Sequence, residues 1–524
     1  MKTKRIAAVA LSATLAISVA ACSSGKTGTT DTGKDAGAST DPKNKKITVS
    51  LISGTWENPV PGPDSEAVKK INEKFNIDFK PQYVPWDTYD EKLTVVMASG
   101  DIPDIIGMEQ THTDPNFTKW AKQGAFLPLD EFLNQYESFK AFPKEVWNLM
   151  KVEGKTYAIP HYFSPKGGKR PVIRKDWLDK LGLKMPTNYD ELKQVAIAFA
   201  KNDPDGNGKA DTIGLGLAKG IYYGANFGSY WSAWTQKNES GQLIPDITPG
   251  AKEVVQFLTD LHKEGALKKD WPVTNYNDVF KEFNAGKVGI WFEQPGAGGI
   301  DFKTLIENDP KAEVVPLPIF KSPDGSQTIS VGTGYYMDYL INAKLKNDPE
   351  KVKRILGMID YFRKWIPADQ QNPQNEYYDW LNGGENKGYK MVNGVPQKNT
   401  ETRSSVAPNA YIIAAGWAPN DEDLDLFIKN SKNPAEKAFN TAIVDYLKKT
   451  PGKLNPVTIV QSDSPAYTKK STELGDFLKD EKTKMIVGQK PISDWDKMVS
   501  DYMAKGGKDV IDEVNKLIKD RGLQ

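Results

Sequence analysis

Two hydrophobic periods alternate along the chain from residue 47, and this alternation constrains the fold more than any other feature. Residues 47–51 and 77–84 alternate apolar and polar side chains, as half-buried strands do. Residues 68–75 and 86–99 instead repeat their apolar positions at helical spacing, and residues 104–107 form a short apolar run. This β-α-β-α-β order predicts an α/β fold with a parallel sheet flanked by helices.

A second region of the same kind follows. Residues 171–174 and 288–292 predict strands, and residues 176–181, 187–200 and 251–264 predict helices. The remaining predicted amphipathic helices are 350–365, 434–449 and about 507–519. No fixed-period repeat is visible, which argues against a solenoid.

The first 21 residues are typical of a bacterial signal peptide. A positively charged start precedes an apolar stretch at 6–20, which is too short to span a bilayer as a helix. Small residues then lead to Cys22, the only cysteine of the chain, in a pattern that resembles the lipobox of bacterial lipoproteins. The alternative is an ordinary secretory signal with an incidental cysteine. We expect lipidation at Cys22, a polar flexible linker over 22–46, and a protein anchored by lipid on the outer face of the cell membrane.

Composition excludes several classes of function. The chain of 524 residues has 69 Lys and Arg against 68 Asp and Glu, without the basic surplus of a nucleic-acid-binding protein. One cysteine cannot form an intramolecular disulfide or a cysteine-rich zinc site, and the three histidines show no metal-binding spacing. The chain also has no GxSxG nucleophile motif and no phosphate-binding GxxxxGK[ST] motif.

Four segments resemble the extracellular solute-binding proteins of bacterial ABC importers, and they occur in the order found in that family. They are Met97–Ile105, Arg174–Leu183 with Pro186–Leu192, Phe283–Trp291 and Val315–Pro318. The length and the lipobox are similar to the oligosaccharide-binding branch, which includes binders of alginate oligosaccharides.

The resemblance implies two α/β lobes, each a sheet flanked by helices, with the ligand in a cleft at the hinge. The N-terminal lobe would comprise residues 47–160 and about 325–365, and the C-terminal lobe 161–324 and about 366–524. Ligands of open α/β sheets lie beyond the carboxyl ends of strands. Loops that follow the first and third strands, and hence Trp56, Glu57 and Gln110, are expected there.

The segment from Asp203 to Asp211 matches a calcium-binding loop of the EF-hand type. Oxygen-bearing side chains occupy positions 1, 3, 5 and 9, a backbone carbonyl is available at position 7, and glycine at position 6 permits the turn. The loop departs from the pattern at position 12, where Gly214 replaces the bidentate glutamate. We expect a structural calcium ion, with a metal-free Asx/Gly turn as the alternative. The expected ligands are Asp203, Asp205, Asn207, Lys209 through its carbonyl, and Asp211.

Aromatic side chains are the second candidate feature, because the apolar faces of sugars stack on them. The candidates are Trp56, Tyr162, Trp231, Trp234, Trp291 and Trp417, with core packing as the alternative for each. Polar candidates for contacting hydroxyl groups are Glu57, Gln110, His161, Glu293 and Arg403. An arginine would also pair with the carboxylate of a uronate.

The sequence therefore predicts a lipid-anchored, monomeric, non-catalytic protein that captures an oligosaccharide and delivers it to ABC permease subunits. Membrane contact would be through the lipid alone. Three alternatives remain open at this stage: an extracellular carbohydrate-active enzyme, with Glu57 and Glu293 as conceivable carboxylates, a glycan-binding lipoprotein without a transporter, and a peptide-binding transport lipoprotein.

Overall fold

The computed structural model describes residues 45–220, 226–293, 300–418 and 422–523. The leader, Cys22 and the linker as far as residue 44 lie outside the described residues. The strands are β1 (Ile47–Thr55), β2 (Ile77–Pro85), β3 (Ile105–Glu109), β4 (Lys151–Val152), β5 (Lys155–Thr156), β6 (Ala158–Tyr162), β7 (Arg170–Arg174), β8 (Ile213–Leu215), β9 (Val288–Glu293), β10 (Val314–Pro316), β11 (Ile329–Val331), β12 (Tyr335–Ile341), β13 (Tyr389–Val392), β14 (Val395–Lys398) and β15 (Gly452–Leu454).

The helices cover more of the chain than the strands do. They are α1 (Glu66–Phe75), α2 (Trp86–Ser99), α3 (Pro115–Lys122), α4 (Glu137–Lys140), α5 (Lys144–Leu149), α6 (Lys175–Lys180), α7 (Tyr189–Lys201), α8 (Pro249–Lys263), α9 (Tyr276–Asn284), α10 (Phe302–Asn308), α11 (Pro349–Phe362), α12 (Glu376–Leu381), α13 (Arg403–Val406), α14 (Glu422–Lys429), α15 (Pro434–Lys449), α16 (Val457–Val460), α17 (Pro465–Ile486), α18 (Trp495–Tyr502) and α19 (Lys508–Asp520).

The first sheet has the strand order β2-β1-β3-β12-β6. Strands β2, β1 and β3 are parallel, as the alternating pattern predicts, whereas β12 runs antiparallel to both of its neighbours. Helix α2 lies close to β1 because Gly54 has no side chain, and a Cβ there would come within 2.3 Å of the Trp86 ring. Trp86 is thereby held beside the carboxyl end of β1.

The second sheet has the strand order β10-β7-β9-β8. Strand β8 is parallel to β9, and β7 is antiparallel to both β9 and β10. Helix α7 begins at the N-cap Asn188, whose side chain accepts a hydrogen bond from the Glu191 amide, and it leads through the Asp203–Asp211 loop into β8. The predicted strand–helix–strand order of this region is confirmed.

Two chain segments that the structure describes run from a strand of one sheet to a strand of the other. Residues 163–169 run from β6 to β7, and residues 317–334 return from β10 to β12. The two connections bond to each other: the Phe163 amide donates to the Gly334 carbonyl at 3.1 Å, and the Gly332 amide donates to the Pro165 carbonyl at 2.8 Å. The sheets are therefore joined through a paired hinge segment.

The hydrophobic cores show where the last third of the chain packs. Leu381, Tyr411 and Ile412 belong to the core of the first sheet, together with residues of α1 and α11. Helices α14 to α19 contribute instead to cores that contain residues of the second sheet. The expected assignment of residues 366–524 to the C-terminal lobe is therefore wrong for 366–418, which return to the first sheet after α11.

Candidate functional site

The strand directions identify one edge of each sheet as a candidate for the ligand site. In the first sheet, the carboxyl ends of β1, β3 and β6 and the amino end of β12 share one edge, which we call the first edge. In the second sheet, the carboxyl ends of β8, β9 and β10 and the amino end of β7 share the second edge. Both connecting segments join these two edges, so the carboxyl-end rule places a ligand site there.

Aromatic side chains form an accessible cluster at the first edge, which we call the aromatic platform (Trp56, Trp86, Phe163 and Tyr336). The Trp56 ring centroid lies 5.1 Å from that of Trp86 and 5.6 Å from that of Tyr336, and the Phe163 centroid lies 5.9 Å from that of Tyr336. Trp56 is 57% exposed and Phe163 is 38% exposed. Exposed rings grouped in this way offer a surface for the apolar face of a ligand.

Two other predicted residues at the first edge have partners within the protein. Glu57 forms an ion pair with Arg403, whose Nη2 also donates to Asn409 at 2.8 Å. Arg403 is 8% exposed, and burial lowers its pKa to about 10. This guanidinium is therefore engaged by Glu57 and is not an open partner for a sugar carboxylate.

Tyr162 and Trp417 pack against each other, with ring centroids 4.8 Å apart. Trp417 also lies against the hinge at Gly334. A Cβ atom added to Gly334 would be only 3.1 Å from the Trp417 ring. Tyr162 is buried and Trp417 is half-buried. Among the polar candidates, His161 lies next to Tyr162, and burial lowers its pKa well below the ordinary value.

A cavity of 390 Å³, which we call the acidic pocket, opens beside Gln110 at the end of β3. Its charged lining residues are Asp90, Glu109 and Asp114. Burial raises the pKa of Glu109, an effect that a hydrogen bond from Tyr336 partly offsets and that the charge of Asp90 reinforces. Burial also raises the pKa of Asp114. The pocket connects to the aromatic platform through Tyr336.

The residues predicted on β9 are enclosed at the second sheet. Trp291 is fully buried, with its ring centroid 4.4 Å from that of Phe292, and Glu293 is 1% exposed. Every residue of β9 is buried, so Trp291 packs in the core and offers no accessible stacking surface in this structure. Glu293 lies opposite Arg170 in the β7–β9 pair.

Trp231 and Trp234 also lie in the core of the second sheet, at 4% and 8% exposure. Their spacing suggests one helical face, but a short 3-10 turn ends at Trp231, and Trp234 has a φ of 59°. The Trp231 indole nitrogen donates to Glu253 at 2.7 Å. Both tryptophans are therefore buried core residues and offer no accessible stacking surface in this structure.

The Asp203–Asp211 loop turns its oxygen atoms toward Asn207. The Asn207 side-chain nitrogen donates to Asp205 at 2.7 Å and to Asp211 at 3.0 Å, while the Gly208 amide donates to Asp203 at 2.9 Å. Burial and the neighbouring carboxylates of Asp203 and Asp211 raise the pKa of Asp205. Lys287 forms an ion pair with Asp211.

The donor set of the loop fits a hard cation when amide and carbonyl oxygens are counted with the carboxylates. Across the described ranges, no three His, Cys, Asp or Glu side chains form a metal-binding group by themselves. Position 12 cannot supply a further carboxylate, because a Cβ on Gly214 would lie 2.0 Å from the Ala196 carbonyl oxygen. The absence of the usual glutamate is therefore a consequence of how β8 packs on α7.

Several residues of these edges are not indicated by the sequence, namely Trp86, Phe163, Tyr336, Asp90, Glu109, Asp114, Lys169 and Arg170. The sequence could have indicated Glu109, because it directly precedes the predicted Gln110 at a strand end. Phe163 and Tyr336 had no such signal, because their places depend on β6 and β12, two strands that the sequence did not predict.

Comparisons with known proteins agree with this architecture. The model of the bacterial extracellular solute-binding protein family matches residues 58–363. The polygalacturonan/rhamnogalacturonan-binding protein YtcQ of Bacillus subtilis is 27% identical over 470 residues, covering 87% of this chain and 89% of the relative. Lipoprotein LipO of the same organism is 26% identical over 498 residues, covering 91% and 94%.

Among solved structures, the alginate-binding protein AlgQ2, crystallised without calcium ion, superimposes with a TM-score of 0.64 at 20% identity, covering 91% of this chain and 98% of that chain. Likeness at this identity concerns the fold, and it confirms the two-lobe architecture of a periplasmic binding protein. The match of the family model over more than half of the chain identifies the family. The chain belongs to the bacterial extracellular solute-binding proteins.

Proposed function

We propose that this protein is the lipid-anchored, substrate-binding component of an ABC importer and that its ligand is an oligosaccharide. The aromatic platform at the first edge is the observation that carries the proposal, because exposed rings at strand ends suit the apolar faces of sugar rings. The names of YtcQ and AlgQ2, both binders of polysaccharide-derived ligands, support the same class of ligand.

In the proposed mechanism the ligand binds by stacking and hydrogen bonding, and no covalent bond changes. Trp56 and Phe163 hold sugar faces, and Gln110 contacts hydroxyl groups from the end of β3. The paired hinge segments allow the two sheets to close around the bound ligand, and the permease recognises the closed form. Glu57 is engaged by Arg403 and Glu293 is buried, which favours binding over hydrolysis.

Anchoring through Cys22 is part of the proposal, and the similarity to LipO supports it. In the described part of the chain, no helix combines the length and apolarity needed to cross a bilayer. In this proposal, the folded body lies at the outer face of the cell membrane and is attached through lipid at Cys22.

Replacing Trp56 by Ala is expected to weaken oligosaccharide binding about tenfold or more, because the most exposed ring of the aromatic platform is removed. Isothermal titration calorimetry with an oligosaccharide that the unchanged protein binds measures the change in affinity. W56F keeps a ring and should lose less affinity, and V273A removes another exposed apolar side chain away from the platform. Unchanged affinity in W56A would remove the observation on which the proposal rests.

We also propose that the Asp203–Asp211 loop holds a structural calcium ion, which would stabilise the turn between α7 and β8. The approach of the Asp205 and Asp211 carboxylates to one side chain, that of Asn207, supports this. A chelator should then lower the midpoint of thermal unfolding. Calcium at a hundredfold excess over its Kd should restore up to about 2.7 kcal/mol of stability.

The loop variant D203N should show a smaller response to calcium than the unchanged protein. D190N serves as its control, because Asp190 is an exposed carboxylate on the same helix–loop unit. Equal unfolding midpoints with chelator and with calcium would contradict a calcium site. They would instead indicate a metal-free turn.

A further inference from the structure

The two edges carry cavities of opposite charge. The acidic pocket at the first edge contains Asp90, Glu109 and Asp114 as its charged lining residues. At the second edge lies a cavity of 180 Å³, which we call the basic cavity, whose charged lining residues are Lys169 and Arg170. Because both edges belong to one proposed site, a bound ligand would experience opposite electrostatic environments at its two ends.

Arg170 is fixed at the wall of the basic cavity by the protein backbone. Its Nη1 donates to the Lys169 carbonyl at 2.9 Å and its Nη2 to the Ser330 carbonyl at 3.1 Å. Among the described residues, its buried Nε has no hydrogen-bond partner. Burial lowers the pKa of Arg170, so an anion at this position would compensate a desolvated cation.

Lys169 lies beside Arg170 and is held by aromatic side chains. Its ammonium group lies 3.7 Å from the Tyr276 ring centroid and donates to the Tyr276 hydroxyl. Burial lowers the pKa of Lys169, and the nearby charge of Glu293 partly offsets that effect. The basic cavity thus combines a guanidinium, an ammonium group and the hydroxyl of Tyr446 around a small volume.

We infer that the ligand is an acidic oligosaccharide and that the basic cavity receives a carboxylate of a uronic acid unit. A guanidinium and an ammonium group favour a carboxylate over a neutral hydroxymethyl group. The acidic pocket disfavours the same carboxylate, so the acidic unit lies toward the second sheet. This inference rests on the proposed function and names the ligand class of the same site.

Paired ligands that differ only in charge test the inference by calorimetry. The probes are trisaccharides of galacturonan and of alginate, the carboxyl-reduced form of each, and neutral kestose. We expect at least one acidic trisaccharide to bind about tenfold or more tightly than its reduced form. Its affinity should also fall with added salt, whereas that of the reduced form should not. The salt comparison uses the unchanged protein and is independent of any variant.

The variant K169M should lose most of the preference for the acidic form. Lys281 on α9 provides the control, because its side chain is 76% exposed and lies outside the basic cavity, and K281M should keep the full preference. Equal or tighter binding of kestose or of a reduced trisaccharide would overturn the inference while leaving the proposed function intact. Failure of all of these probes to bind would count against the proposed function itself, and the inference would fall with it.

Discussion

Replacing Arg174 by Met is expected to lower the free energy of unfolding by about 3 kcal/mol, because it removes the cation from a buried ion-pair network. The Arg174 side chain is fully buried at the end of β7. Its Nε donates to Asp176 at 2.9 Å and its Nη2 to the same carboxylate at 2.6 Å, and it also pairs with Asp309. The arginine therefore joins β7 to α6 and to the end of α10.

Chemical denaturation of R174M measures this loss. The neighbouring variant K175M is the matched control, since Lys175 forms an exposed i,i+4 pair with Asp179 and its removal should leave stability unchanged. R174K should fall between R174M and the unchanged protein, because an ammonium group cannot reproduce the two-pronged contact. A loss in R174M no larger than that in K175M would show that the network does not stabilise the fold.

The variant D338N is expected to change how stability depends on pH. Asp338 is completely buried on β12, and burial raises its pKa to about 7. Its Oδ2 accepts hydrogen bonds from the Thr111 amide and hydroxyl at 3.2 and 2.9 Å, whereas its Oδ1 has no partner among the described residues. The folded protein thus holds a proton that the unfolded chain releases near pH 4.

Because the pKa is raised on folding, the folded state binds more protons than the unfolded state between about pH 4 and pH 7. Stability from this group is present at low pH and is lost as the pH rises through that range. D338N cannot ionise, so its stability relative to the unchanged protein should rise by about 2–3 kcal/mol between pH 5 and pH 9.

Burial lowers the pKa of His112 to about 4. The contribution of His112 to stability therefore increases with pH over the same range, opposite to that of Asp338. Comparing D338N with the unchanged protein cancels that contribution, because both contain His112. D101N, at an exposed position, controls for an aspartate-to-asparagine change elsewhere on the first lobe. Parallel pH profiles of D338N and the unchanged protein would contradict a raised pKa for Asp338.

Local periodicity predicted much of the fold. Helix α2 was predicted with its observed bounds and α1 with its apolar face, and the strands of the first parallel unit follow the alternation. Strand β12 was not predicted, because it reaches the first sheet only after the chain has passed through the second. The return of residues 366–418 to the first core depends likewise on contacts between distant segments, which local patterns do not encode.

The same difference between local patterns and contacts of distant segments explains which site residues the sequence predicts. Trp56 and Gln110 directly follow strands, so the carboxyl-end rule was sufficient to place them at the first edge. Trp231 and Trp234 share a hydrophobic core with residues of α17 to α19, more than 200 positions further along the chain, and no local pattern indicates that burial. Trp291 is enclosed because β9 is buried on both faces. The pairing of Arg403 with Glu57 likewise joins distant segments.

Calorimetric titration of the purified protein with the acidic and neutral trisaccharides, followed by chromatography of the recovered sugar, tests the central claim most directly. We expect saturable binding of at least one oligosaccharide and recovery of that sugar unchanged after prolonged incubation. Recovery of shorter fragments would indicate a carbohydrate-active enzyme. Absence of binding to every oligosaccharide, together with binding of a peptide, would contradict the account.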